Sequence, residues 1–277
     1  MLQRMITTVP SDLADSFELR RMPGRVALVR SDFGPAFEAL GLLASPGAPT
    51  AATEPARATA GGRGGARIVD AGAGDEIVVR PGRRGGWFGK LVRSRYFAGD
   101  RFTDELILTE RLRRRGAPVP EPLAAVRQQR RVGYETWLAT RRIPGAEPAA
   151  VTLAATPAER LAGPLRAMGR AVRALHDAGG DHADLNAWNV LITPAGAGSG
   201  EARAHVVDLD RGHLRPAPLG ARRVESNFAR LRRSLRKLEL DHVLAAWPEF
   251  ERGYASGASA PGDPAAGDTA AADGAAS

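Results

Sequence analysis

The rhythm of apolar and polar positions changes part-way along the chain. From about Gly64 to Thr140 the apolar residues come in short runs, "ARIVDAG", "DEIVVRPG" and "VGYETWLATRRI", punctuated by Gly and Asp. That texture predicts β-strands. One segment breaks it. In "RFTDELILTERLRRRG" the residues Phe102, Leu106, Leu108 and Leu112 roughly share one helical face, and Gly116 and Pro118 end the helix. From about Thr156 the period turns helical, with Leu161, Leu165, Met168, Val172 and Leu175 at helical spacing. Thr156, Pro157 and Glu159 fit an N-cap, a first-turn proline and a capping-box glutamate. Pro164 should kink this helix or delay its start. The helix should end near Gly179-Gly180. The runs "NVLITP" and "ARAHVVDLD", joined by a Gly-rich loop, then read as a β-hairpin.

Two stretches lack apolar residues large enough to form a core. Residues 44–62 are rich in Ala, Pro, Gly and Thr, and residues 256–277 contain no large apolar side chain. Neither buries enough surface to offset the entropy of ordering, so both are expected to be disordered. The expected fold class is α+β. A β-rich N-terminal lobe with one helix spans 1–142, a larger, mainly helical C-terminal lobe spans 143–255, and a tail spans 256–277.

Composition adds limits. The 277 residues carry a formal charge of +8, and Lys90 and Lys237 are the only lysines, so the basic side is arginine. This balance favours an anionic partner such as a phosphorylated substrate, an anionic membrane face or nucleic acid. With no cysteine, disulfides, thiolate nucleophiles and cysteine metal sites are excluded. The first residues lack the apolar core of a signal peptide, and no apolar run approaches the ~20 residues that span a bilayer. A soluble cytoplasmic protein is expected, with peripheral membrane contact open.

The densest chemistry lies in "GDHADLNAWNVLI", residues 180–192. A loop aspartate, an asparagine five residues on and an aspartate closing the next strand are the parts that phosphoryl transfer from Mg-ATP needs. Asp184 is the candidate catalytic carboxylate. Asn189 and Asp208 are the candidate Mg²⁺ ligands. "HADLNAWN" matches the protein-kinase catalytic-loop pattern H-R-D-L-x-x-x-N at His182, Asp184, Leu185 and Asn189. "VVDLD" takes the place of D-F-G, with Asp210 at the glycine position. His182 is assigned a structural role and no proton transfer. Upstream, "GGRGG" offers Gly62, Gly64 and Gly65 as a phosphate loop. "EIVVR" resembles the kinase strand V-A-I-K but ends in Arg80, which makes Arg80 the candidate phosphate-contacting cation. Glu105 is its candidate ion-pair partner, the alternative being an ordinary solvated helix face.

With these residues in place the chain resembles the bacterial lipopolysaccharide kinases, most of all those acting on 3-deoxy-D-manno-octulosonic acid (Kdo). The resemblance runs roughly from Phe33 to Leu240. It rests on "IVVRPGRRGGWFGKLVRSRYF", "RFTDELILTERLRRRGAPVPEPLAA", "RRIPGA", "LHDAGGDHADLNAWNVLI", "VVDLDRG" and "NFARLRRSLRKL". The R-R-G-G element, Arg83 to Gly86, and the last block are more diagnostic than the catalytic loop. Two features depart from the family: the Ala/Pro-rich segment 44–62, and a Pro-Gly in "RPGRRGG" where an aromatic is usual.

The resemblance implies a protein-kinase-like two-lobed fold and the cofactors ATP and Mg²⁺. It implies transfer to the 4-hydroxyl of Kdo on Kdo–lipid A, at the cytoplasmic face of the inner membrane, with peripheral contact to that anionic surface and no nucleic acid. In "NFARLRRSLRKL", Phe228, Leu231, Leu235 and Leu238 share one face, and the basic residues lie elsewhere. The basic side is either an anion-binding surface or a merely solvated one. "RRGGWF" with Trp87 and Phe88 is a second candidate contact. The rival readings are a heptose kinase of the same superfamily, a phosphotransferase acting on cationic antibiotics, and a non-catalytic pseudokinase or nucleic-acid-binding protein. A basic chain argues against the second. The joint presence of Asp184, Asn189 and Asp208 argues against the third.

Overall fold

The computed structural model describes residues 8–43, 66–72, 74–82, 101–131, 134–195 and 201–257. The segment 44–62, the glycines Gly62, Gly64 and Gly65, the R-R-G-G element, Trp87, Phe88, Lys90 and residues 258–277 lie outside them.

The first half is one antiparallel sheet. Strands β1 (Phe17–Met22) and β2 (Arg25–Arg30) form a hairpin, followed by a short helix α1 (Gly34–Ala39). Strands β3 (Arg67–Asp70) and β4 (Glu76–Pro81) come next, then helix α2 (Arg101–Arg114), β5 (Pro122–Gln129) and β6 (Tyr134–Arg141). The strand order is β1-β2-β5-β6-β4-β3. One face packs Val29, Val79, Val126 and Trp137 against Phe33 and Phe37 near α1. The other packs Leu28, Ala125 and Leu138 against Phe102 and Leu106 of α2. Such two-sided burial needs apolar residues at both parities of a strand, and β5 is buried from Pro122 to Gln128 for that reason. The three predicted strand runs are β3, β4 and β6, and the predicted helix is α2. The β1–β2 hairpin and β5 were not predicted.

The second half is mainly helical. It opens with β7 (Glu147–Pro148) and α3 (Ala149–Ala155), followed by α4 (Ala162–Asp177) and β8 (Gly180–Asp181). The hairpin β9 (Val190–Thr193) and β10 (Arg203–Val206) is the one predicted, and its strands are antiparallel. Strand β11 (His213–Leu214) and helices α5 (Ala221–Lys237), α6 (Asp241–Ala245) and α7 (Trp247–Ser256) complete it. The architecture is therefore α+β, a β-rich N-terminal part and a helical C-terminal part in a protein-kinase-like order. Leu161, Leu165, Met168, Val172 and Leu175 are fully buried in the C-terminal core with Leu231, Leu235 and Phe250. Helix α2 joins the two cores, because Leu112 and part of Leu108 pack into this second cluster.

Two helices touch through glycines. A Cβ on Gly169 of α4 would sit 2.1 Å from the Phe250 carbonyl oxygen, and one on Gly253 of α7 would sit 2.2 Å from that of Arg166. Only the missing side chains let α4 and α7 approach so closely.

One local expectation is corrected. Thr156 does not cap α4. Its hydroxyl donates to the Thr152 carbonyl at 2.6 Å and closes α3 instead. Pro157 and Glu159 belong to a separate 3₁₀ turn around Ala158–Arg160, which has no side-chain cap. Helix α4 starts at Ala162, so Pro164 is its third residue, where a backbone N–H would have no intrahelical acceptor. The proline thus delays the start and does not kink the helix.

Candidate active site

The loop after α4 is held by its own polar groups. Asp184 N–H donates to His182 Nδ1 at 3.1 Å, and His182 Nε2 lies 3.1 Å from the Val207 carbonyl oxygen. One nitrogen accepts and the other donates, so the ring is neutral with its proton on Nε2. Burial holds the His182 pKa below its ordinary value, against the Val207 hydrogen bond. His182 thereby couples the loop to the strand end that presents Asp208, the structural role expected of it. A second tie is the Val207 N–H, which donates to the Asn189 carbonyl at 2.9 Å.

Inside the loop, Asn189 Nδ2 donates to the Asp184 carbonyl at 2.9 Å and Asn186 Nδ2 to the same oxygen at 3.0 Å. The Asn189 amide group is pinned through its nitrogen, which leaves its oxygen for a ligand. Leu185 and Ala187 are fully buried and anchor the loop, whereas Asp184 is exposed. Ala187 N–H also donates to Ser234 of α5 at 2.9 Å. Below the loop, Asp181 accepts from Arg223 at 2.5 Å, Arg215 at 3.3 Å and Asn227 at 3.4 Å. Burial works to raise the Asp181 pKa, but these donors hold it below the usual carboxylate range.

Asp208 follows β10 with φ of +61°, a left-handed conformation that aspartate tolerates better than most side chains. Its carboxylate is reached by Arg80 of β4: Nη1 donates to Asp208 Oδ1 at 2.7 Å, and Nη2 donates to Glu105 Oε1 of α2 at 2.5 Å. One guanidinium fork therefore spans the two halves of the molecule. Burial opposes the Arg80 charge, yet Glu105 and Asp208 outweigh it and hold its pKa above the ordinary arginine value. Burial pushes the Glu105 pKa up, with Arg80 opposing, and Glu105 Oε2 has no hydrogen-bond partner among the described residues. Glu105 is 4% exposed, so the solvated-face alternative does not hold.

Beside this pair stands a second bridge that sequence reasoning missed. Arg101, the first residue of α2, donates through Nε to Asp210 Oδ1 at 2.8 Å. Asp210 stands at the glycine position of D-F-G. Its partner, 109 residues away, left no local signal.

The structure thus brings Arg80, Glu105 and Asp208 into direct contact and ties Asp184 and Asn189 to the same strand end. Among the described residues no group of three or more His, Asp or Glu is arranged to hold a metal ion alone. The donors present are oxygens, an amide from Asn189 and a carboxylate from Asp208, which is 41% exposed. That set suits Mg²⁺, which usually takes one or two protein oxygens and completes its shell with phosphate and water.

Comparison with known proteins decides the family. Residues 53–254 match the model of the lipopolysaccharide kinase (Kdo/WaaP) family. The chain belongs to that family. It is 38% identical over 197 residues to a 3-deoxy-D-manno-octulosonic acid kinase of Xylella fastidiosa (strain M12), covering 69% of this chain and 74% of that protein. It is 42% identical over 183 residues to a protein of the same name from Xanthomonas campestris pv. campestris (strain B100), covering 64% of this chain and 68% of that one. The solved structure of WaaP in complex with acyl carrier protein aligns over 82% of this chain and 83% of that chain, at 19% identity and a TM-score of 0.45.

Proposed function

We propose that this kinase transfers the γ-phosphoryl group of ATP to Kdo, with the 4-hydroxyl of Kdo on Kdo–lipid A as the acceptor. The observation that carries the reading is the single fork of Arg80, which joins Glu105 of α2 in the N-terminal half to Asp208 beside the Asp184–Asn189 loop. The named activity of the two relatives supports the acceptor class. The N-terminal lobe, 1–142, grips the nucleotide; the C-terminal lobe, 143–255, carries the chemistry; 256–277 is a tail, of which α7 takes Ser256.

The geometry supports the following roles. Asp184, exposed at the loop, orients the acceptor hydroxyl and takes its proton as that oxygen bonds to the γ-phosphorus and ADP departs. The transition state is loose, so the residues mainly position and neutralise. Arg80 directs donors at phosphate oxygens, and Glu105 keeps it extended toward the cleft. Asn189 and Asp208 would hold Mg²⁺, which supplies charge neutralisation on the phosphates. Gly62, Gly64 and Gly65 are proposed as the phosphate loop.

Peripheral contact with the cytoplasmic face of the inner membrane belongs to the same proposal. Among the described residues no helix is long and apolar enough to cross a membrane. Helix α5 buries Phe228, Leu231 and Leu235 and leaves Arg233, Arg236 and Lys237 exposed, a basic face suited to an anionic surface.

The test is a phosphate-transfer assay with ATP and Mg²⁺ on Kdo–lipid A beside a heptosylated acceptor. Phosphate is expected on Kdo. Phosphate on heptose alone would contradict the acceptor proposal and assign the chain to the heptose kinases.

A further inference from the structure

Arg127 of β5 is a buried cation with no counter-ion among the described residues. The residue is 4% exposed, and its Nη2 has no hydrogen-bond partner among the described residues. Its guanidinium lies over the Tyr134 ring, 3.9 Å from the centroid. Stacking offsets part of the lost hydration but satisfies none of the N–H donors. The same sheet shows how a buried arginine is normally completed. Arg30 of β2, 5% exposed, donates to Glu110 at 2.5 Å and to the Pro122 carbonyl at 3.0 Å. A buried charge left incomplete is costly unless something else completes it.

Arg127 opens on a cavity of about 340 Å³ at the tip of the β1–β2 hairpin. Arg21 and Arg25 line it from the two arms, with Met22, Val26 and Gln129, and no acidic residue is among its described lining. The register explains the gathering. Arg21 pairs with Val26, and Val26 pairs with Arg127, so the three form one row across three strands. Strands lie about 4.8 Å apart, which puts the two arginine backbones roughly 10 Å from each other. A small tetrahedral anion fits between side chains reaching inward over that span.

The cavity is separate from the catalytic cleft. Arg80 pairs with Leu138, which pairs with Ala125, one row away. Leu28, Ala125, Leu138, Phe102 and Leu106 pack together on the sheet face between the two places.

We infer that this cavity is a second anion site that binds a phosphate monoester group, with Arg127 as the buried donor and Arg21 and Arg25 as the rim. A dianion answers the guanidinium groups of Arg127 and Arg21, which leave the sheet on one face, better than a carboxylate does, with Arg25 at the hairpin tip, and its tetrahedral oxygens accept bonds arriving from different strands. Two sources present that group, free phosphate and a lipid headgroup. Met22, 44% exposed beside the cavity, makes a lipid surface a natural second arm of the test. The inference does not depend on which sugar the kinase phosphorylates.

The full chain is titrated with inorganic phosphate against chloride of equal ionic strength, with a non-hydrolysable ATP analogue saturating the catalytic cleft, and thermal unfolding is followed. Phosphate should raise the wild-type Tm. Arg127→Met should be at least as stable as wild type in chloride, because it removes an unpaired buried charge, and should lose the phosphate response. Arg25→Ser, on the rim, should raise the Kd for phosphate roughly tenfold, the usual loss for a charge-assisted hydrogen bond, and carries the test if Arg127→Met does not fold. Sedimentation with phosphatidic acid vesicles against phosphatidylcholine vesicles separates the sources. Pelleting that Arg25→Ser and Met22→Ser both reduce assigns a lipid headgroup, whereas a phosphate response without pelleting assigns free phosphate. Stabilisation by phosphate no greater than by chloride, or an equal response in both arginine variants, would overturn the site.

Discussion

Helix α2 carries two buried glutamates five residues apart, and they live in opposite circumstances. Glu110 is 0% exposed and both of its oxygens are taken. Arg30 and Arg113 donate to Oε2 at 2.5 and 2.8 Å, and Arg113 and Arg114 donate to Oε1 at 3.1 and 3.0 Å. Burial alone would raise its pKa, but the bonds from Arg113 and Arg114 and the charge of Arg30 hold it low. Glu105 is nearly as deep, yet only one of its oxygens has a partner among the described residues, and burial holds its pKa high. The stability that Glu110 contributes is present above its unfolded pKa and is lost as pH falls through its lowered folded value. Glu105 behaves in the reverse sense and weakens the fold as pH rises through its raised value. A closed cluster welds a helix to a sheet. An open one keeps donors and acceptors in reserve where the two halves meet, and that is where nucleotide phosphates and a metal would be received.

The largest effect should come from opening the closed cluster. Arg30→Met removes one partner of a buried pair, and about 3–5 kcal/mol of stability should go with it, read as a lower denaturant midpoint. Turnover per folded molecule should stay near wild type.

The C-terminal core holds another buried titratable side chain, half-satisfied like Glu105. His176 is buried, with Nδ1 3.0 Å from the Tyr254 hydroxyl, and burial pushes its pKa down from 6.5 to about 4. Because the folded value is depressed, the neutral ring is favoured in the fold. Stability should be full above about pH 6.5 and should fall toward pH 4 by about 3 kcal/mol, at roughly 1.4 kcal/mol per pH unit. His176→Phe should flatten that stretch of the stability–pH curve, and an unchanged slope would remove His176 from the account.

Asp184→Asn belongs to the open side. It should lower kcat by roughly 10² or more while Tm and ATP affinity hold. The smallest effect is expected at the second bridge. Arg101→Ala frees Asp210 and loosens the α2 end that positions Glu105. The expected loss is roughly tenfold in kcat/KM, in line with one partly exposed charged hydrogen bond. The exchange Arg101→Asp with Asp210→Arg should recover part of it.

Most of the candidate site is legible in the amino-acid sequence because its parts are close together: Asp184 and Asn189 are five residues apart, and Asp208 ends the next hairpin. The strands β3, β4 and β6 and the helices α2 and α4 are legible because their apolar residues keep a strict period. The hairpin β1–β2 is not, because Glu18, Arg20, Arg21 and Arg25 break up its apolar pattern, even though Pro23 and Gly24 make its turn. Strand β5 is obscured differently. Its Ala124 and Ala125 look indifferent alone and become core only between β2 and β6. Pairs such as Arg101–Asp210 and Arg30–Glu110 join residues 80 or more apart and leave no trace in any local window. Thr156 shows the opposite failure, a good capping signal that served the preceding helix.

The contrast between the two glutamates is tested most directly by Glu105→Gln and Glu110→Gln, measured side by side for chemical unfolding and for phosphate transfer per folded molecule. Glu110→Gln should lose several kcal/mol of stability, on the order of a broken buried ion pair, and keep its turnover. Glu105→Gln should keep or gain stability and lose at least about tenfold in kcat, because Arg80 is no longer held toward the phosphates. The reverse pattern, with Glu105→Gln unfolding the protein and Glu110→Gln slowing the reaction, would contradict the assignment of the open cluster to function.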